Sequence, residues 1–219
     1  MSLGARSKEG MAMRRLPFGF QQLLITLVGF LMLPGMFGEQ IGLLLPLMFT
    51  LVLVSCLYLV AENRSQLLIV CILAVPPLLT NFQLGLFDDQ LRNTLNLVAY
   101  LIFLFYVARH ILLFLLQAQE ISSDVIYGAL CLYLILGFFW GLAYALLGAF
   151  SPEAFDADAI STFADYLYFS FVTITTLGYG DISPVSEFAR SLAVVEAITG
   201  QIYLAVVIAR LVGIQASSG

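Results

Sequence analysis

Between Thr173 and Asp181 the chain reads Thr-Ile-Thr-Thr-Leu-Gly-Tyr-Gly-Asp. The chemistry open to such a stretch belongs to its backbone: a run of carbonyls facing one axis can replace the water around a dehydrated cation. Turning consecutive carbonyls the same way needs alternate residues at positive or otherwise unusual φ, which Gly178 and Gly180 accept without a Cβ clash. Thr176 adds a hydroxyl at the inner end. The tetrapeptide Gly-Tyr-Gly-Asp alone would equally fit an ordinary glycine-rich turn. Context separates the two readings, because the stretch follows a short segment, Ser161 to Thr175, with a Ser/Thr N-cap, and lies between two long apolar segments. Membrane depth tolerates non-helical backbone only where it is buried in protein or lines a water-filled cavity.

These residues resemble the signature of tetrameric pore-loop potassium channels, usually written T-V-G-Y-G; Leu177 stands where that family most often has Val. The resemblance implies a passive, potassium-selective pore with K+ as the permeant ion and no cofactor. The ion would be held by backbone oxygens of Thr176, Leu177, Gly178 and Tyr179 together with the Thr176 hydroxyl. One loop cannot enclose an axis and four can, so the implied assembly is a homotetramer in lipid. Filter support would come from Gly180, Asp181, Tyr168 and Val172. In the bacterial two-helix members a Glu on the pore helix pairs with the Asp after the filter; Val172 occupies that position here, so the pairing is missing. Asp181 then either accepts a hydrogen bond from Tyr168, which stands where the family often has Trp, or is simply solvated. Tyr179 should turn from the axis into a cuff of Tyr166, Tyr168 and Phe169, and the C-terminal end of the pore helix should favour a cation in the cavity.

The elements that must position this loop follow from composition. With 61% hydrophobic and 11% charged residues and a mean hydropathy of +1.00, the chain cannot be a soluble globule, since ordinary domains carry about 25% charged residues. At roughly 20 residues per crossing, 219 residues hold six helices and a re-entrant loop. The expected fold is an all-α membrane protein: six transmembrane helices, a re-entrant pore helix and the filter. The spans fall near 18–33, 41–61, 66–82, from 91 into Arg109 and His110, 125–149 and 187–211, the third interrupted by Pro76 and Pro77. Gly137 and Gly141 have a small-xxx-small spacing and are expected to bring the fifth helix close to the sixth. The chain divides into a cytoplasmic tail (1–15), a four-helix voltage-sensor-like domain with linker (16–122), a pore domain (123–212) and a short cytoplasmic tail (213–219).

Charge gives the orientation. Basic residues accumulate in short cytoplasmic loops, and with the N-terminus inside only Arg92 and Arg190 fall outside. Both termini are then cytoplasmic, the filter opens outward, and the soluble-domain-free plan resembles prokaryotic members in the inner membrane. Arg14 and Arg15 before an apolar run could mark a signal peptide, but no small-residue cleavage site follows Leu33. The acidic loop residues Glu153, Asp156 and Asp158 either concentrate cations at the mouth or are an ordinary solvated loop.

Six crossings invite a voltage sensor, yet the fourth carries only Arg92 and Arg109, 17 positions apart, where a sensor needs several Arg at every third position. Each charge moved through the field yields only about 2.3 kcal/mol per 100 mV. The sensor-shaped domain is therefore expected not to sense. Gly200, 19 residues after Asp181, stands at the family's inner-helix hinge position or serves packing; Ala205 and Ala209 are small enough for four helices to converge. Glu196, an acid at membrane depth, either titrates and couples pH to gating or is hydrogen-bonded structurally. Cys56, Cys71 and Cys131 have no metal-ligand spacing and read as packing residues; a pI near 4.7 argues against a nucleic-acid partner. The single His110 and dispersed acids form no catalytic constellation, so no enzyme is expected, nor a cytoplasmic ligand-binding domain in the eight residues after Leu211. The competing readings are a weakly selective monovalent cation channel and a membrane subunit of an ion transporter.

Overall fold

The computed structural model describes residues 19–37, 50–55, 88–156 and 159–217. Five helices and one turn of 3-10 helix organise them: α1 (Gly19–Phe37), α2 (Asp89–Gln117), α3 (Ser123–Phe150), the 3-10 turn Pro152–Ala154, α4 (Phe163–Ile174) and α5 (Glu187–Ser217). Residues 50–55 are also helical. Among the described residues three helices are long and apolar enough to cross a membrane: Gln90–Gln117, Ser123–Phe150 and Glu187–Ala216. Of the expected second crossing only 50–55 are described, and the third, 66–82, lies outside the described residues.

Two boundaries, those of the first and last helices, differ from the sequence expectation, and a third, which the sequence left open, is settled by continuation. The first helix continues past Leu33 and Pro34 to Phe37, because in hydrocarbon a single lost amide bond costs less than leaving the remaining backbone groups unpaired. α2 passes through Arg109 and His110 without a break. α5 runs on through the expected boundary at 212, its apolar sequence holding no Pro to stop it.

α3 is the hub, packing against α1, α2, α4, α5 and the 3-10 turn. Its start is fixed by Ser122, whose hydroxyl accepts from the Val125 amide at 3.4 Å, and by Asp124 in the first turn, where an acid suits the helix dipole. Cys131 is fully buried on α3 and its thiol donates to the Phe20 carbonyl of α1 at 3.4 Å. An edge-to-face series, Phe30 to Phe138 (5.1 Å) and Phe138 to Phe171 (5.5 Å), links α1 through α3 to α4.

The glycines of α3 face a different neighbour from the one expected. A Cβ on Gly137 would meet the Phe171 ring at 2.6 Å, one on Gly141 would come within 3.1 Å of the Leu167 Cα, and one on Gly148 would strike the Tyr166 hydroxyl. All three therefore admit α4 and not α5, since the short helix is inserted between the long ones. Gly141→Ala should lower the stability of the purified protein, by about 1–3 kcal/mol for overpacking against backbone. Gly29→Ala, where a Cβ meets nothing within 4 Å, should leave it unchanged or raise it by up to about 1 kcal/mol. Thermal melts in one detergent check the pair.

Candidate functional site

α4 begins with a capping box. Asp165, its third residue, reaches back so that Oδ2 accepts from the amides of Ser161 (2.9 Å) and Thr162 (2.7 Å) and from both hydroxyls. The expected N-cap thus falls at Thr162.

Its other end opens the candidate loop, Thr175 to Asp181. The last four carbonyls of a helix lack intrahelical amides, and here each has a partner. The Phe171 carbonyl takes the Thr175 amide (3.2 Å) and hydroxyl (2.6 Å), and that of Thr173 takes the Thr176 amide (2.9 Å). The Val172 carbonyl takes the amides of Leu177 (2.9 Å) and Gly178 (3.2 Å), and that of Ile174 takes the Tyr133 hydroxyl of α3 (3.2 Å). Peptide units are planar and trans, so an amide aimed back at α4 aims the carbonyl of the preceding residue away from it. The carbonyls of Thr175, Thr176 and Leu177 are directed off the helix end in this way. Positive φ recurs at every second residue: Thr176 (59°), Gly178 (57°) and Gly180 (80°). The two glycines behave as expected. Thr176 joins them at a cost of roughly 1–3 kcal/mol for a residue with a Cβ, which the back-bonded amides on either side offset. Val172 acts here through its main chain, whose carbonyl holds the amides of Leu177 and Gly178, a contact its side chain could not announce.

Outside the filter the Tyr168 hydroxyl donates to Asp181 Oδ2 at 2.7 Å, the first of the two outcomes open to that carboxylate. That bond holds Asp181 below the usual carboxylate range, with desolvation opposing and the amides of Asp181 and Ile182 assisting. The cuff expected around Tyr179 is only partly there. Tyr168 lies on the filter side, but Tyr166 and Phe169, one turn apart on one face of α4, turn towards α3. Tyr166 packs on Phe155 (5.5 Å) and Phe169 on Tyr144 (4.9 Å) and Phe155 (5.4 Å). Tyr179 is 68% exposed on the single chain. The loops flanking the site are tied together: Phe155 pairs with Pro184, and the Val185 amide bonds the Ala154 carbonyl at 2.8 Å.

Behind the filter Glu196 is fully buried. Its Oε2 accepts from the Tyr144 hydroxyl at 2.5 Å, and its Oε1 lies 2.5 Å from the Ser170 hydroxyl, which also reaches the Gly137 carbonyl at 2.8 Å. Gly200 is buried one turn further on, and a Cβ there would sit 2.6 Å from the Ile174 carbonyl oxygen. Its packing role is therefore on view, and α5 is continuous through it. Ala205 and Ala209 lie on the exposed side of α5. Arg210 clamps the end of α2: Nε donates to the Leu115 carbonyl at 2.9 Å, and Nη2 to those of Leu116 and Ala118. A cation on those orphan carbonyls suits the helix dipole, and no local pattern around Arg210 foretold it.

Known proteins resemble this region. Residues 128–214 match the family model described as an ion channel. The protein LctB of Bacillus caldotenax is 39% identical over 62 residues, 28% of this chain and 46% of its own length. Two-pore potassium channel 4 of Arabidopsis thaliana is 34% identical over 83 residues (36% of this chain, 29% of its own). The inward rectifier potassium channel Kirbac3.1 of Paramagnetospirillum magnetotacticum is 33% identical over 75 residues (34% and 24%). The chain spans less than half the length of these curated relatives. No solved structure matches. Residues 128–214, from α3 into α5, thus match an ion-channel family model and are similar in sequence to potassium channels.

Two outcomes follow. Gly200→Ala should lower stability by about 1–3 kcal/mol, read as a lower thermal midpoint, because the added methyl meets backbone; a purely flexing glycine would leave stability unchanged. For Asp181 the depressed folded-state pKa means that its link to Tyr168 stabilises the mouth above the ordinary carboxylate pKa and is lost as pH falls through the depressed value. A carbon-13 NMR titration should therefore show the Asp181 midpoint rising towards the ordinary value in Tyr168→Phe, and an unmoved midpoint would remove Tyr168 as the cause.

Proposed function

We propose that the chain is the subunit of a homotetrameric, potassium-selective channel that conducts K+ passively through the loop from Thr176 to Tyr179. The observation that carries this reading is the backbone after α4, where amides turn back onto the helix end while every second residue adopts positive φ. A stack of outward-directed carbonyls is what a dehydrated monovalent cation requires. In a single chain the stack faces nothing: Leu177 and Tyr179 are exposed, and so are Val194, Ile198 and Ile202 on α5. Of the apolar window of α5 only 11% is buried within one chain, against 50% for α3. Three further copies around an axis along the filter would cover that surface and close the ring.

In the same reading Ala205 and Ala209 line the convergence of four inner helices, and both termini are cytoplasmic in a prokaryotic inner membrane. The channel is not voltage-gated: α2 carries only two arginines, Arg92 and Arg109, too few and too widely separated for a sensor.

Purified protein in liposomes tests this. Potassium efflux should exceed sodium efflux by at least about tenfold, a discrimination of about 1.4 kcal/mol, and should be blocked by a quaternary ammonium ion, with cross-linking giving a tetramer. Equal fluxes would replace selectivity with a general cation pore, and absence of flux from a strictly monomeric protein would contradict the reading altogether.

A further inference from the structure

Three helices meet at one sealed point behind the filter. Tyr144 of α3, Ser170 of α4 and Glu196 of α5 are each fully buried, and their oxygens form three short contacts. Tyr144 Oη lies 2.5 Å from Glu196 Oε2, Ser170 Oγ 2.5 Å from Glu196 Oε1, and Ser170 Oγ 2.8 Å from the Gly137 carbonyl. Two oxygens at such distances need a hydrogen between them. Tyr144 and Ser170 supply one each, and a carbonyl supplies none. If Glu196 is a carboxylate, two hydrogens must serve three contacts, and one pair of oxygens is left with lone pairs facing. If Glu196 is a carboxylic acid, three hydrogens serve three contacts.

The surroundings agree with the count. Among the described residues the titratable groups that face Glu196 are Tyr144 and Tyr133, both on α3, and α4 offers it only the uncharged Ser170. A buried carboxylate with no opposite charge is strongly disfavoured.

We propose that Glu196 is held as a neutral carboxylic acid, a positioning residue whose proton completes the chain from Tyr144 through Glu196 and Ser170 to the Gly137 carbonyl. This chain pins α4 between α3 and α5, and α4 carries the filter on its C-terminal end. Gly200, one turn after Glu196 on α5, rests on the Ile174 carbonyl and continues the same seam. Removing the proton leaves one contact without a hydrogen and loosens the pin, so filter geometry deteriorates as pH rises. The protonation state rests on the geometry alone; its effect on conduction rests on the channel reading above.

Infrared spectra of the purified protein near neutral pH should contain a protonated-carboxyl carbonyl band that disappears in Glu196→Gln and shifts in frequency in Tyr144→Phe. Glutamine keeps the count, since its amide donates to Ser170 while its carbonyl accepts from Tyr144. Glu196→Gln should therefore match the native melting temperature at neutral pH and retain it, together with potassium flux, at alkaline pH where the native protein loses both. Absence of any Glu196-dependent band, or a Glu196→Gln protein less stable than native at neutral pH, would overturn the proposal. A Glu196→Gln protein that fails to fold is the extreme of that second outcome and overturns the proposal likewise, while the shift of the native band in Tyr144→Phe is read independently of that variant. A band that behaves as expected in a protein without potassium flux would sink the channel reading and leave the neutral acid standing.

Discussion

A helix end leaves four carbonyls without intrahelical amides. The end of α4 resolves this by taking amides from the residues that follow, together with the Tyr133 hydroxyl from α3. That solution sets the course of the loop after it. Once the amides of Thr176, Leu177 and Gly178 are committed to the helix end, the carbonyls of the same peptide units have one direction left to face. The positive φ values at Thr176, Gly178 and Gly180 are the torsional expression of the same constraint.

Everything packed around α4 holds that end in place. Small residues on α3 admit its side chains closely, Gly200 on α5 lets its last carbonyl approach, and the aromatic cluster of Tyr144, Phe155, Tyr166 and Phe169 fills the outer side. The Phe155 to Pro184 pairing joins the loop before α4 to the loop after the filter, so both ends of the re-entrant segment share one anchor. At the opposite end of α5, Arg210 ties that helix to the last turn of α2.

What the sequence disclosed and what it hid divide by range. Backbone properties that depend on residue type were legible: Gly178 and Gly180 at positive φ, a Ser/Thr cap with an acid behind it at the start of α4, and long apolar runs for α3 and α5. Partners far apart in the chain were not. Tyr144 lies 52 positions from Glu196, Tyr133 lies 41 from Ile174, and Arg210 lies 95 from Leu115; no local pattern links such pairs. Two errors had legible remedies. Tyr166 and Phe169 stand one turn apart and Tyr168 does not share their face, so helical periodicity alone separates them from a cuff around Tyr179. The glycines of α3 were assigned to the longest neighbouring helix, whereas the chain order inserts α4 between α3 and α5.

Under the proposed tetrameric reading one chain would supply a quarter of a ring, and the exposed apolar surface of α5 is what the other copies would cover. The measurement that bears most directly on this account is a crystal structure of the assembled protein soaked in thallium or rubidium, read by anomalous scattering. The account predicts a column of ion peaks on a fourfold axis, level with the carbonyl oxygens of Thr176 to Tyr179. Anomalous signal only outside that column, or filter carbonyls turned away from any shared axis, would contradict it.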